Sequence, residues 1–86
     1  MELKVNKNIE IHNSHNDAYN PYREYLAIDE NGSLWVVEYG QGCAAPIQLN
    51  EDIMKDLDND RIKKMLESAI QEGWTEAAEW IKDFAN

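Results

Sequence analysis

The sequence predicts an α+β domain: a small antiparallel sheet of about three strands around a central β-hairpin, followed by two or three α-helices packed on one face. Three observations carry this expectation. Residues 22–40, YREYLAIDENGSLWVVEYG, are two apolar-rich runs hinged on Asn31-Gly32, a dipeptide that readily supplies positive φ in a tight hairpin turn. Ahead of them, residues 3–11 alternate apolar and polar. From Asn50 onward the apolar period lengthens to that of a helix. The chain is therefore expected to be a single domain over residues 1–86, β-rich over 1–49 and helical over 50–86.

In the first run Leu3, Val5, Ile9 and Ile11 share one parity, with Lys7 the exception, and Glu2, Lys4, Asn6, Asn8 and Glu10 take the other. Asn6-Lys7-Asn8 either bends this run into two short strands or interrupts a single one. Both versions add a third strand to a hairpin that would be marginal alone. Residues 12–21, HNSHNDAYNP, read as a loop, because Asn and Asp tolerate unusual backbone angles and Asn20-Pro21 disfavours helix. A two-residue turn on Asn31-Gly32 sets Ile28 opposite Trp35, Leu26 opposite Val37 and Glu24 opposite Tyr39. Leu26, Ile28, Trp35, Val37 and Tyr39 then share the face built for burial. Arg23, Asp29 and Glu38 take the outer face with Tyr25, Ala27, Leu34 and Val36. The GQGCAAP stretch, residues 40–46, reads as a flexible crossover.

Asn50 is the expected cap of the first helix, with Glu51 and Asp52 where the helix dipole favours negative charge. Ile53 and Leu57 lie four apart, and then Arg61 takes the next apolar slot. The stripe resumes as Ile62, Met65, Leu66, Ala69 and Ile70. This phase break predicts a short helix ending near Leu57 and a second starting near Asp58 or Asn59; one kinked helix is the alternative. Gly73 ends the second helix. Thr75 is expected to cap a last helix with the stripe Ala77, Trp80, Ile81, Phe84 and Ala85.

Seventeen acids against eight bases leave a net charge of −9. Residues 1–49 hold seven acids and three bases, and residues 50–86 hold ten and five, so no acidic tail accounts for the imbalance. Such a charge disfavours direct binding to nucleic acid or to anionic membranes, and it suits either a self-repelling soluble surface or a basic protein partner. The lone Cys43 makes no internal disulfide, and no apolar run reaches the roughly 20 residues of a membrane span. A reducing, cytoplasmic setting is expected.

The residues offer little for catalysis. His12, His15 and Asp17 fall short of a zinc site, which needs three or four ligands in a settled geometry. Asp56, Asp58, Asp60 and Glu67 mimic a calcium loop, but Arg61 stands where such a loop needs glycine and Lys63 where it needs an apolar residue. Cys43 has no histidine near it in sequence. Gly40-x-Gly42 leads into Cys43-Ala44-Ala45-Pro46, not a phosphate-binding turn. The chain is expected to be no enzyme and to hold no cofactor or metal. Trp35 and Trp80 lie on core stripes. Tyr19, Tyr22, Tyr25 and Trp74 lie among carboxylates, a composition that suits a protein-interaction surface and second-layer packing equally.

The hairpin IDENGSLWVVE, the acidic helix ending Ser68-Ala69-Ile70-Gln71-Glu72-Gly73-Trp74 and the acidic helical stretch after it resemble small acidic phage-encoded anti-CRISPR proteins, over about half of the chain. Lys55, Arg61, Lys63, Lys64 and Lys82 interrupt the dense acidic segment such inhibitors carry. The resemblance implies an inhibitor that occupies a basic, nucleic-acid-binding surface of a host defence nuclease, such as an RNA-guided one, in the host cytoplasm. Its carboxylates would replace phosphates against Arg and Lys. The expected partner-binding residues are Glu24, Tyr25, Asp29, Glu30 and Glu38 on the sheet, Asp52, Asp56, Asp58 and Asp60 at the helix junction, and Trp74. An antitoxin, immunity or regulatory adaptor protein with one cognate protein partner is the alternative, and the chain is expected to be a monomer or homodimer.

Overall fold

A computed structural model describes residues 1–14, 22–40 and 42–85. Four strands, β1 (Leu3–Ser14), β2 (Tyr22–Asp29), β3 (Leu34–Gly40) and β4 (Cys43–Gln48), form one antiparallel sheet in sequence order. Three helices follow: α1 (Glu51–Asp56), α2 (Asn59–Glu72) and α3 (Thr75–Lys82). The α+β architecture is the expected one. The supposed crossover at residues 40–46, however, supplies a fourth strand, and β1 runs on through residues 12–14 of the supposed loop. The rest of that loop, residues 15–21, lies outside the described residues.

The hairpin turn is wider by one residue than Asn31-Gly32 alone suggests. The Gly32 N–H donates to the Asp29 carbonyl at 3.1 Å, and the Asp29 N–H donates to the Ser33 carbonyl at 3.0 Å. With Gly32 at φ 85°, this is a three-residue loop with a glycine bulge. The Asp29 carboxylate builds it by accepting from the N–H groups of Asn31 and Ser33, both at 2.9 Å. Ile28 therefore pairs with Leu34, Leu26 with Val36, Tyr25 with Val37 and Glu24 with Glu38. A one-residue shift moves every β3 side chain to the other face. Leu34 and Val36 join Leu26 and Ile11 in the core, while Trp35, Val37 and Tyr39 share the outer face with Tyr25 and Ala27.

β1 carries an irregularity between Val5 and Glu10, at the polar Asn6-Lys7-Asn8. Asn6, 1% exposed, fixes it from inside. Its Oδ1 accepts from the Asn8 N–H at 2.9 Å, while its Nδ2 donates to Ser68 Oγ and Gln71 Oε1, each at 2.9 Å. On the other side Lys7 reaches across β2 and sets its ammonium 4.6 Å from the Tyr39 ring centre, beside the edge-to-face Tyr25–Tyr39 pair.

The helices lie where the sequence places them. Asn50 Oδ1 caps α1 by accepting from the Ile53 N–H at 2.9 Å, and Asp58 Oδ1 caps α2 by accepting from Arg61 N–H at 2.8 Å. Gly73, at φ 75°, closes α2: its own N–H donates to the Ile70 carbonyl, and the Trp74 N–H to that of Ala69. Trp74, not Thr75, stands at the start of α3, where no side chain supplies a cap. α2 packs across β1 and β2, and α3 packs on α2. Leu26, Met54, Met65 and Ile81 are fully buried between the layers, each worth about 1.5–3 kcal/mol of apolar transfer. Ile70, expected in the stripe, is 64% exposed.

β4 is exposed along its whole length and forms one edge of the sheet. The Leu49 N–H donates to the Leu34 carbonyl, continuing the unbroken β3–β4 register. By alternation, the backbone groups of Cys43, Ala45 and Ile47 point to β3, and those of Ala44, Pro46 and Gln48 point outward. Pro46 thus removes the middle N–H of the free edge.

Candidate functional site

The structure divides the expected binding residues, Tyr25 apart, into three groups. Asp29, Glu30 and Trp74 gather at the turn end of the sheet, around a cavity of about 410 Å³ that Glu2, Leu3, Lys4 and Ile28 also line. Asp29 is committed to the fold there: besides building the turn, it accepts from Trp35 Nε1 at 2.9 Å. The hydrogen bond from Trp35, with those from the turn backbone, holds its carboxyl below the usual 3.8. Glu30 is exposed and accepts from the Glu2 N–H at 3.2 Å. Trp74 is half-buried against the core.

The second group is the α1–α2 junction. Asp52, Asp56, Asp58 and Asp60 are all exposed there, with Glu51 beside them. Two of these acids serve the helices as well, Asp52 in the first turn of α1 and Asp58 as the cap of α2.

The third group departs from expectation. Glu38, expected on the outer face with Tyr25, faces the helices instead, because the hairpin register places it opposite Glu24 on the inner side. Glu24 is only 7% exposed. Together Glu24 and Glu38 line a cleft of about 130 Å³ at the end of the sheet away from the turn, roofed by Ile53 of α1, Leu57 just beyond it, and Arg61 and Met65 of α2. Ile11, Val36, Ile47 and Leu49 complete its apolar walls. Burial raises the Glu24 carboxyl above its usual 4.5; Arg61 opposes that rise and Glu38 adds to it. Arg61 Nε lies 3.6 Å from Asp58 Oδ2, an ion-pair distance too long for a hydrogen bond, and this buried N–H has no acceptor.

Tyr25 lies on the opposite face and is itself buried, its hydroxyl donating to Glu10 Oε1 at 3.5 Å. Glu10 also accepts from Asn13 Nδ2 and pairs with Arg23 at 3.6 Å. Tyr25 is thus part of a closed network, not a projecting contact.

Arg61 and Ile47 are the site residues the sequence reading missed. Arg61 left a signal, since it broke the apolar stripe of the helices. Ile47 left none, because it lay in a stretch read as a crossover. Among the described residues no group of three or more His, Cys, Asp and Glu side chains is placed to hold a metal ion, and no helix is long and apolar enough to cross a membrane. His15 and Asp17 of the weighed zinc set, and Tyr19, lie outside the described residues, while Cys43 is exposed on β4. No protein-family model, curated protein or solved structure matches the chain.

Proposed function

We propose that this chain is a non-enzymatic protein-binding inhibitor that docks on a basic, nucleic-acid-binding surface of a partner protein. In its specific form the partner is a host defence nuclease of the RNA-guided kind, and the chain is encoded by a phage or mobile element. The observation that supports the reading is the disposition of the acids. Among the described residues only Glu10 and Asp58 stand in ion pairs, and the α1–α2 junction presents Glu51, Asp52, Asp56, Asp58 and Asp60 on one exposed stretch. Carboxylates of this density, all but Asp58 outside any described ion pair, steer association with Arg- and Lys-rich surfaces and exchange there with phosphates.

The test is a DNA-cleavage assay with a panel of RNA-guided nucleases, combined with binding measured across a salt series. The expected result is stoichiometric inhibition of one nuclease, binding that weakens as salt rises, and competition with its nucleic acid. Absence of inhibition throughout the panel, or binding indifferent to both salt and nucleic acid, would count against the reading.

A further inference from the structure

The cleft behind Glu24 and Glu38 is unusual for the end of a sheet. A core this small gains from filling such a space, and apolar side chains line most of it. Instead two carboxylates on neighbouring strands line it, with the Arg61 side chain at its rim. Like charges directly opposite on adjacent strands destabilise a sheet. Glu24 is 7% exposed; among the described residues its charged surroundings are Arg61 and His12, which oppose the effect of burial, and Glu38 and Asp58, which add to it. Among the described residues Arg61 is the only Lys or Arg lining the cleft, and it is shared with Asp58 outside. The described lining therefore sets two carboxylates against one shared guanidinium, a net negative charge.

The shape limits what can supply that charge. At about 130 Å³ the cleft is far larger than the ~10–15 Å³ that one water needs, yet too small for an aromatic ligand with a polar tail. Its apolar wall, open at Ile47, which is 40% exposed, suits an alkyl stem, and its floor suits a compact ammonium.

We propose that the cleft takes one lysine side chain of a basic partner protein, its stem against Ile47, Ile53 and Leu57 and its ammonium between Glu24 and Glu38. This rests on the reading of the chain as a binder of basic proteins and deepens it, giving the diffuse acidic surface a desolvated anchor. Charge-steered contact at the α1–α2 junction brings the partner in, and the buried pair holds it.

The probe is Nα-acetyl-lysine methylamide, with the norleucine counterpart as the uncharged control, followed by NMR of methyl-labelled Ile and Leu. The expected result is a saturable shift of the Ile47 and Ile53 methyls with the lysine compound. It should be at least tenfold weaker with the norleucine compound and with Glu24→Gln/Glu38→Gln protein. Equal response to both compounds, an undiminished response in the double variant, or no saturable shift at the cleft overturns the proposal. The probe needs no partner, so failure here leaves inhibition of a nuclease standing, whereas loss of inhibition alone leaves the cleft standing.

Discussion

Glu24 and Glu38 stand directly opposite each other on β2 and β3, both turned inward beneath the α1–α2 junction. The fold tolerates this pair at a cost, and pH reveals it. Burial raises the Glu24 pKa above 4.5 in the folded chain. A carboxyl raised on folding binds its proton more tightly in the native state. Its favourable contribution is therefore complete below about pH 4.5 and is lost as pH rises through the folded value. Glu24→Gln should match the parent protein near pH 4 and exceed it at pH 7 by roughly 0.2–1 kcal/mol in urea unfolding. A variant less stable at pH 7 would mean that attraction to Arg61 outweighs burial and the Glu38 repulsion.

Asn6 ties the irregular part of β1 to α2 through Ser68 and Gln71. Losing a buried hydrogen-bonding group leaves its partners unsatisfied, so Asn6→Ala should cost about 1–3 kcal/mol. A cycle with Ser68→Ala should give a coupling of about 1 kcal/mol in chemical denaturation. Additive losses would assign the cost of Asn6→Ala to the bend in β1 alone.

Pro46 denies the free edge of β4 its central donor. Pro46→Val restores that donor in a strand with no charged side chain. Sedimentation velocity over a concentration series should then show dimers or larger species that the parent protein does not form at the same concentrations.

Gly73 has open space where a side chain would stand, so only its φ of 75° opposes substitution. Gly73→Ala should destabilise by about 1–2 kcal/mol with unchanged circular dichroism. A neutral result would require the end of α2 to have reorganised.

The helical half was legible because its signals are local. Asn50, Asp58 and Gly73 act within one turn of their own position, and no distant contact is needed to read them. The acidic junction was legible for the same reason, since consecutive caps put Asp56, Asp58 and Asp60 on exposed backbone. The sheet half was less so. The outward position of Pro46 and the strand around it emerge only once β3 is present to pair with residues 43–48.

Sequence by itself determined the α+β class, the caps of α1 and α2, the central hairpin and the acidic surface, since each follows from composition, periodicity or a cap. Tertiary structure decided which face of β3 is the core. Leu34 and Val36 on one parity and Trp35 and Val37 on the other are both apolar, so alternation could not choose between them. The choice fell to the Asp29 carboxylate, which organises a three-residue turn and keeps Trp35 outside through its indole N–H. That one-residue difference carries Glu38 inward to meet Glu24 and Arg61, and so creates the cleft.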